Sequence, residues 1–137
     1  MRMRKHYDSY NGAISLTDDQ REQQTEMIMQ LFKHWQLTNA ECAILLGLSP
    51  NTATSIHNYN TGRSSVPTYR DIQDRIGHLF AIHRYLKHAY PHNEDLAYRW
   101  IKSPNKDFQG FTPLQIINKD GFEGLLQTRY YLESSMA

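Results

Sequence analysis

The stretch from Arg99 to Leu132, RWIKSPNKDFQGFTPLQIINKDGFEGLLQTRYYL, carries more punctuation than any continuous helix tolerates. Trp100 and Ile101 close an amphipathic segment, Ser103-Pro104-Asn105 breaks it, and Gly110 marks a loop. Thr112-Pro113 then supplies an N-cap followed by proline at the first helical position, where its missing N–H is harmless. Leu114, Ile116 and Ile117 give that short helix its apolar face, and Asp120-Gly121 ends it. A last helix from Phe122 to about Glu133 follows. This region must fold as a compact helical module.

The rest of the chain also reads as helix. Thr17 with Gln20 makes a capping box, and Ile28, Leu31, Phe32 and Trp35 repeat at helical spacing, which predicts a helix over about 18–36. Thr61-Gly62-Arg63-Ser64-Ser65-Val66-Pro67 is a linker and a candidate boundary. Beyond it Ile72, Ile76, Leu79, His83, Leu86 and Tyr90 step by threes and fours, a long helix over about 68–89 that Pro91 stops. Asn93 caps a short helix through Ile101. Residues 1–16 have an Asn11-Gly12 turn signal but no sustained period, and read as a flexible basic arm. No strand is expected. The fold class is all-α, divided into an arm (1–16), a helix-turn-helix domain (17–66), a linking helix (67–92) and a C-terminal module (93–137).

Within the second of these, Thr38-Asn39-Ala40-Glu41 is another capping box, and Ala43, Ile44, Leu46, Leu48, Ala53 and Ile56 fall where a helix-turn-helix needs small or apolar residues. Gly47 permits the reversal and Ser49-Pro50 opens the second helix. That register exposes Ser49, Asn51, Thr52, Thr54, Ser55 and Asn58, side chains suited to phosphate oxygens and base edges of a major groove. Charge argues the other way. Between Lys33 and Arg63 there is no Lys or Arg, yet phosphate neutralisation normally supplies most of the affinity. Arg63, Arg70 and the arm cations Arg2, Arg4 and Lys5 are the candidates for that role. The alternative is that the motif only packs or dimerises.

Composition removes several function classes. Lys plus Arg total 15 against 14 Asp plus Glu, so no global field draws the chain to nucleic acid or membrane. The single Cys42 cannot form an internal disulfide and fits a reducing compartment, with the cytoplasm favoured. No apolar run is long enough to span a membrane. His78, His83 and His88 are five apart, which rotates each about 140° from the last on a helix, so no metal site is expected. Phosphate loops, nucleophile elbows and zinc-protease motifs are absent. The chain is expected to bind without catalysing and to need no cofactor. Arg129, Tyr130 and Tyr131 crowd the end of the last helix, residue types that anchor protein interfaces, although a tyrosine there could equally pack internally. The stripe Ile72, Ile76, Leu79, His83 and Leu86 predicts a homodimer, the symmetry that twofold operators ask for.

The order Trp100, Pro104-Asn105, Phe108, Gly110, Thr112-Pro113-Leu114 and Gly121 resembles the C-terminal toxin-binding domain of the Xre/MbcA/ParS antitoxin family, and the helix-turn-helix resembles the Xre type. The likeness spans about residues 25–134. It implies an antitoxin of a type II system that neutralises a cognate toxin by direct binding and represses its own operon. The long helix before a Trp-x-x-x-Pro-Asn pattern most resembles antitoxins paired with RES-domain toxins, which degrade NAD. Lys102, Asn105, Arg129, Tyr130, Tyr131 and Glu133 are the expected toxin-binding residues. Ser49, Asn51, Thr52, Thr54, Ser55, Asn58 and Arg63 are the expected DNA-binding residues. The second reading is a free-standing helix-turn-helix regulator whose C-terminal half only dimerises.

Overall fold

A computed structural model describes residues 6–7, 14–49 and 51–135. A two-residue antiparallel ladder, β1 (His6–Tyr7) with β2 (Ile14–Ser15), pairs His6 with Ser15 and Tyr7 with Ile14. This corrects the expectation of no strand. The turn dipeptide Asn11-Gly12 and the cations Arg2, Arg4 and Lys5 lie outside the described residues. The other regular elements among the described residues are all helices, and the chain is all-α.

Helix α1 (Asp18–His34) starts at the Thr17 capping box, where Thr17 Oγ1 accepts from Gln20 N and Gln20 Oε1 accepts from Thr17 N. Helix α2 (Asn39–Leu46) starts the same way at Thr38 and Glu41 and ends at Gly47, whose φ of 73° no branched residue would tolerate. Helix α3 (Ala53–Thr61) starts differently, because Thr52 caps it without a side-chain bond. Helix α4 (Arg70–Ala89) is the spine, and Tyr69 also caps it without one. Helix α5 (Glu94–Arg99), capped by Asn93, runs into a 3-10 turn at Trp100–Lys102. A second 3-10 turn (Lys106–Phe108) leads to α6 (Pro113–Asp120) and α7 (Phe122–Ser135).

One continuous core joins all of these helices. Ile28, Phe32 and Trp35 of α1, Leu45 and Leu46 of α2, Ile56 of α3, and Ile76, Leu79, Ile82 and Leu86 of α4 meet Ile101, Ile117, Leu125 and Leu132 of the C-terminal module. The linker is pinned. Val66 is fully buried and its N–H donates to Thr25 Oγ1 (2.9 Å), while Gln24 and Gln73 exchange two side-chain hydrogen bonds between α1 and α4. The α4 stripe is spent in this packing, since Ile72, Ile76, Leu79 and Leu86 are all buried within the single chain. Those four side chains are therefore not free to form the seam of a dimer.

Two glycines set how closely helices approach. A Cβ on Gly124 would fall on the carbonyl of Ile116, so α7 can cross α6 only with glycine there. A Cβ on Gly47 would fall on the Arg75 guanidinium, which fills the gap between the α2 turn and α4.

Candidate functional site

Six residues separate α2 from α3, a longer connection than the tight turn expected. Ser49 does not open α3. Its carbonyl accepts from Thr52 Oγ1 (2.6 Å) and Thr52 N (3.1 Å), and its hydroxyl accepts from Asn51 N (3.3 Å), so Ser49 to Thr52 form a separate turn before the helix. Ala53 is exposed and does not pack α3 back, and Ile56 and Tyr59 alone in that helix are buried. Asn51 and Thr54 are exposed, while Thr52, Ser55 and Asn58 are half-buried. The carbonyl of Asn58 closes the far end of α3, accepting from Arg63 N (2.9 Å). Arg63 is exposed beyond Gly62, so about 14 Å of helix separates it from Asn51 and Thr52. The seven expected DNA-binding residues therefore occupy two ends of α3.

The expected toxin-binding residues disperse more widely. Consecutive residues on a helix turn by about 100°, and Arg129, Tyr130 and Tyr131 accordingly face three ways. Arg129 is half-buried toward α4, where Nη1 donates to His78 Nδ1 (2.8 Å), and its Nε is 4.0 Å from Glu133 Oε2. Tyr131 faces the opposite loop. Its hydroxyl donates to Asp107 Oδ2 (2.6 Å) and its ring stacks on Trp100 and packs against Phe108. That bond, with burial, raises the Tyr131 pKa, so the phenol stays a donor. Tyr130 alone of the three is prominently exposed, at 54%.

Asn105 and Lys102 also have internal work. The Asn105 side chain accepts from Asp107 N (2.9 Å), its N–H donates to Phe111 O and its carbonyl accepts from Gly110 N, so the Pro-Asn pair shapes the loop. Lys102 Nζ donates to Gln36 O (3.1 Å) and Glu41 Oε1 (3.2 Å), tying the C-terminal module to the loop before α2. Burial raises the Glu41 pKa, but the Thr38 N–H and Lys102 outweigh it and hold the carboxyl below its ordinary 4.5.

Other residues matter more than their sequence context suggested. Arg75 lies over the Phe122 ring, 5.7 Å from its centroid, and joins the α2 turn to the start of α7. Phe111, Phe122 and Leu96 are exposed at about two fifths of their surface. Gly124 had a legible signal, the Gly121-Phe122-Glu123-Gly124 spacing, whereas Arg75 had none beyond its place on α4. Burial, then the nearby Glu41 charge, pushes the Cys42 thiol up to about 12, so it is protonated packing. Among the described residues no three His, Cys, Asp or Glu side chains converge on a point that could hold a metal ion. No described helix is long and apolar enough to cross a membrane. Against models of protein families, curated proteins and solved structures, the chain has no match.

Proposed function

We propose that this chain is a bacterial cytoplasmic antitoxin that acts by binding, not by catalysis. Its C-terminal module grips a cognate toxin, of the NAD-degrading RES type by family likeness, and its helix-turn-helix recognises the operator of their shared operon. One observation carries the reading: of the six exposed large hydrophobic residues among the described residues, four, Leu96, Phe111, Phe122 and Tyr130, fall in the C-terminal third. Exposed aromatic side chains are the residue types that anchor interfaces.

The partner-facing set differs from that read from sequence. Tyr130, Phe122 and Phe111 are its anchors, and Tyr131, Asn105 and Lys102 hold the scaffold that presents them. On the operator side, Asn51 and Thr54 carry base contacts and Arg63 carries phosphate affinity. With so few cations, DNA binding is weak and its salt dependence shallow. A homodimer on a twofold operator uses a face other than the buried α4 stripe.

Coexpression with the products of neighbouring genes tests the proposal. A neighbour that copurifies stoichiometrically, and whose toxicity the chain relieves, is the expected result. A sharp operator footprint with no protein partner would replace it with the free-standing regulator.

A further inference from the structure

Two polar side chains tie down the last turns of α7: Tyr131 donates to Asp107 in the loop, and Arg129 donates to His78 on α4. The second bond fixes a protonation state. A guanidinium has only donors and keeps its charge, so Nδ1 of His78, 2.8 Å from Arg129 Nη1, must be the acceptor, and the imidazole is neutral with its proton on Nε2. Arg129 has little else to hold it. Its Nε is buried with no hydrogen-bond partner, and Glu133 Oε2, at 4.0 Å, is too far to be one. The same imidazole also supports the start of the helix, because the Phe122 ring, two turns before Arg129, packs edge-on against it at 5.5 Å between centroids.

We infer that His78 is a proton-sensitive latch between α4 and α7: one proton taken up at Nδ1 removes the acceptor of Arg129, sets two cations against each other, and loosens the end of α7 that carries Tyr130. The charges that act on His78 are Arg129 from α7, with Glu133 behind it, and Asp74 from its own helix. Helices α1, α2 and α5, which also pack on α4, bring none among the described residues. Burial lowers the His78 pKa most, Arg129 lowers it further, and Asp74 opposes both. The loosened state therefore takes up the proton near the ordinary 6.5 and the latched state only at lower pH. The latch is closed above about pH 6.5 and weakens as the pH falls between those two values. The Tyr131 bond does not share this behaviour, since the raised pKa of the phenol keeps its proton in place. The inference requires no particular partner, so its failure leaves the proposed function standing.

The test follows the full chain, labelled with nitrogen-15 and carbon-13, by nuclear magnetic resonance, with the His78 signal among the seven histidines assigned through His78→Asn. At about pH 7.5 the ring is expected to carry its proton on Nε2; a proton on Nδ1 overturns the inference. Amide exchange, corrected for its intrinsic pH dependence, is then compared between pH 7.5 and 5. Opening of residues 129–133 is expected to rise by up to about tenfold per pH unit, the limit for one linked proton, and to rise less in α1. His78→Asn keeps an acceptor oxygen near the Nδ1 position and cannot titrate, so it should preserve the protection at pH 7.5 and abolish the rise. A rise that persists in His78→Asn, or one equal in α1 and α7, overturns the latch. Arg129→Met supplies a second reading that does not depend on that variant: without the facing cation the His78 titration midpoint should move up toward 6.5, and an unmoved midpoint overturns the inference as well.

Discussion

Helix α3 differs from α6 and α7 in how it is held. The C-terminal pair begins at a complete capping box on Thr112 and Gln115, crosses at the obligatory Gly124, and is braced by the Tyr131 to Asp107 bond. Helix α3 has no side-chain cap and buries only Ile56 and Tyr59. On the proposed reading the difference has a use. Anchors such as Phe111, Phe122 and Tyr130 would bind best on a scaffold already rigid, because each group ordered on binding costs affinity, whereas α3, if it meets DNA, could adjust on the groove.

The two regions still share one core, and the largest effects should show that. Ile56→Ala in α3 and Ile117→Ala in α6 each remove a fully buried side chain and are expected to cost about 2 to 5 kcal/mol. Both should shift a single urea transition followed by tryptophan fluorescence and by far-ultraviolet circular dichroism. Two separated transitions would break the picture of one continuous core.

Gly124→Ala is next, at about 1 to 3 kcal/mol, since the new methyl group meets the Ile116 backbone and no side chain can step aside. Ala at Gly77, which has open space around it in the middle of α4, should instead be neutral or stabilising. Thermal denaturation separates the two.

Smaller still is the contrast between caps. Thr112→Ala and Thr38→Ala each remove a capping box and should cost about 1 kcal/mol, whereas Thr52→Ala should cost under about 0.5 kcal/mol because only a turn bond to Ser49 is lost. Equal costs at all three positions would erase the distinction between α3 and the helices with a capping box.

The smallest effect is a pH slope. Burial lowers the pKa of His78, with Arg129 adding to it, and burial lowers that of His83, with Lys87 and His34 adding. The unfolded chain therefore takes up these protons first. The stability from the neutral rings is complete above about pH 6.5 and is lost as the pH falls through the depressed folded values. His83→Gln and His78→Asn should each flatten the fall in urea midpoint between about pH 7.5 and 5.

Much of the scaffold was readable because its signals are local. Thr17, Thr38 and Thr112 each sit three residues before Gln or Glu, Gly47 ends an apolar run, and the 3.6 period of α4 is unbroken, so helix limits agree to within a few residues. What the sequence left open was spatial. The Arg129-Tyr130-Tyr131 run reads as a cluster, but helix geometry sends its members to His78, to solvent and to Asp107. The α4 stripe reads as a dimer seam because periodicity shows that a face is buried without showing what buries it. Ser49-Pro50 reads as a helix start, yet Thr52 bonding back to Ser49 delays α3 to Ala53. Truncation after Gln127, a natural test of the tail, would remove the buried Thr128 and Leu132 and disturb the common core. Point changes at exposed anchors are cleaner.

The most direct measurement is growth rescue of cells expressing the cognate toxin, with two variants set against the parent chain. Phe122→Ser with Tyr130→Ala removes two exposed anchors, and Asn51→Ala with Thr54→Ala removes exposed polar groups at the start of α3. The account predicts that the first pair abolishes rescue with the fold intact by circular dichroism, while the second pair rescues fully and loses only operator binding. Full rescue by the first pair, or loss of rescue by the second at equal protein level, would contradict it.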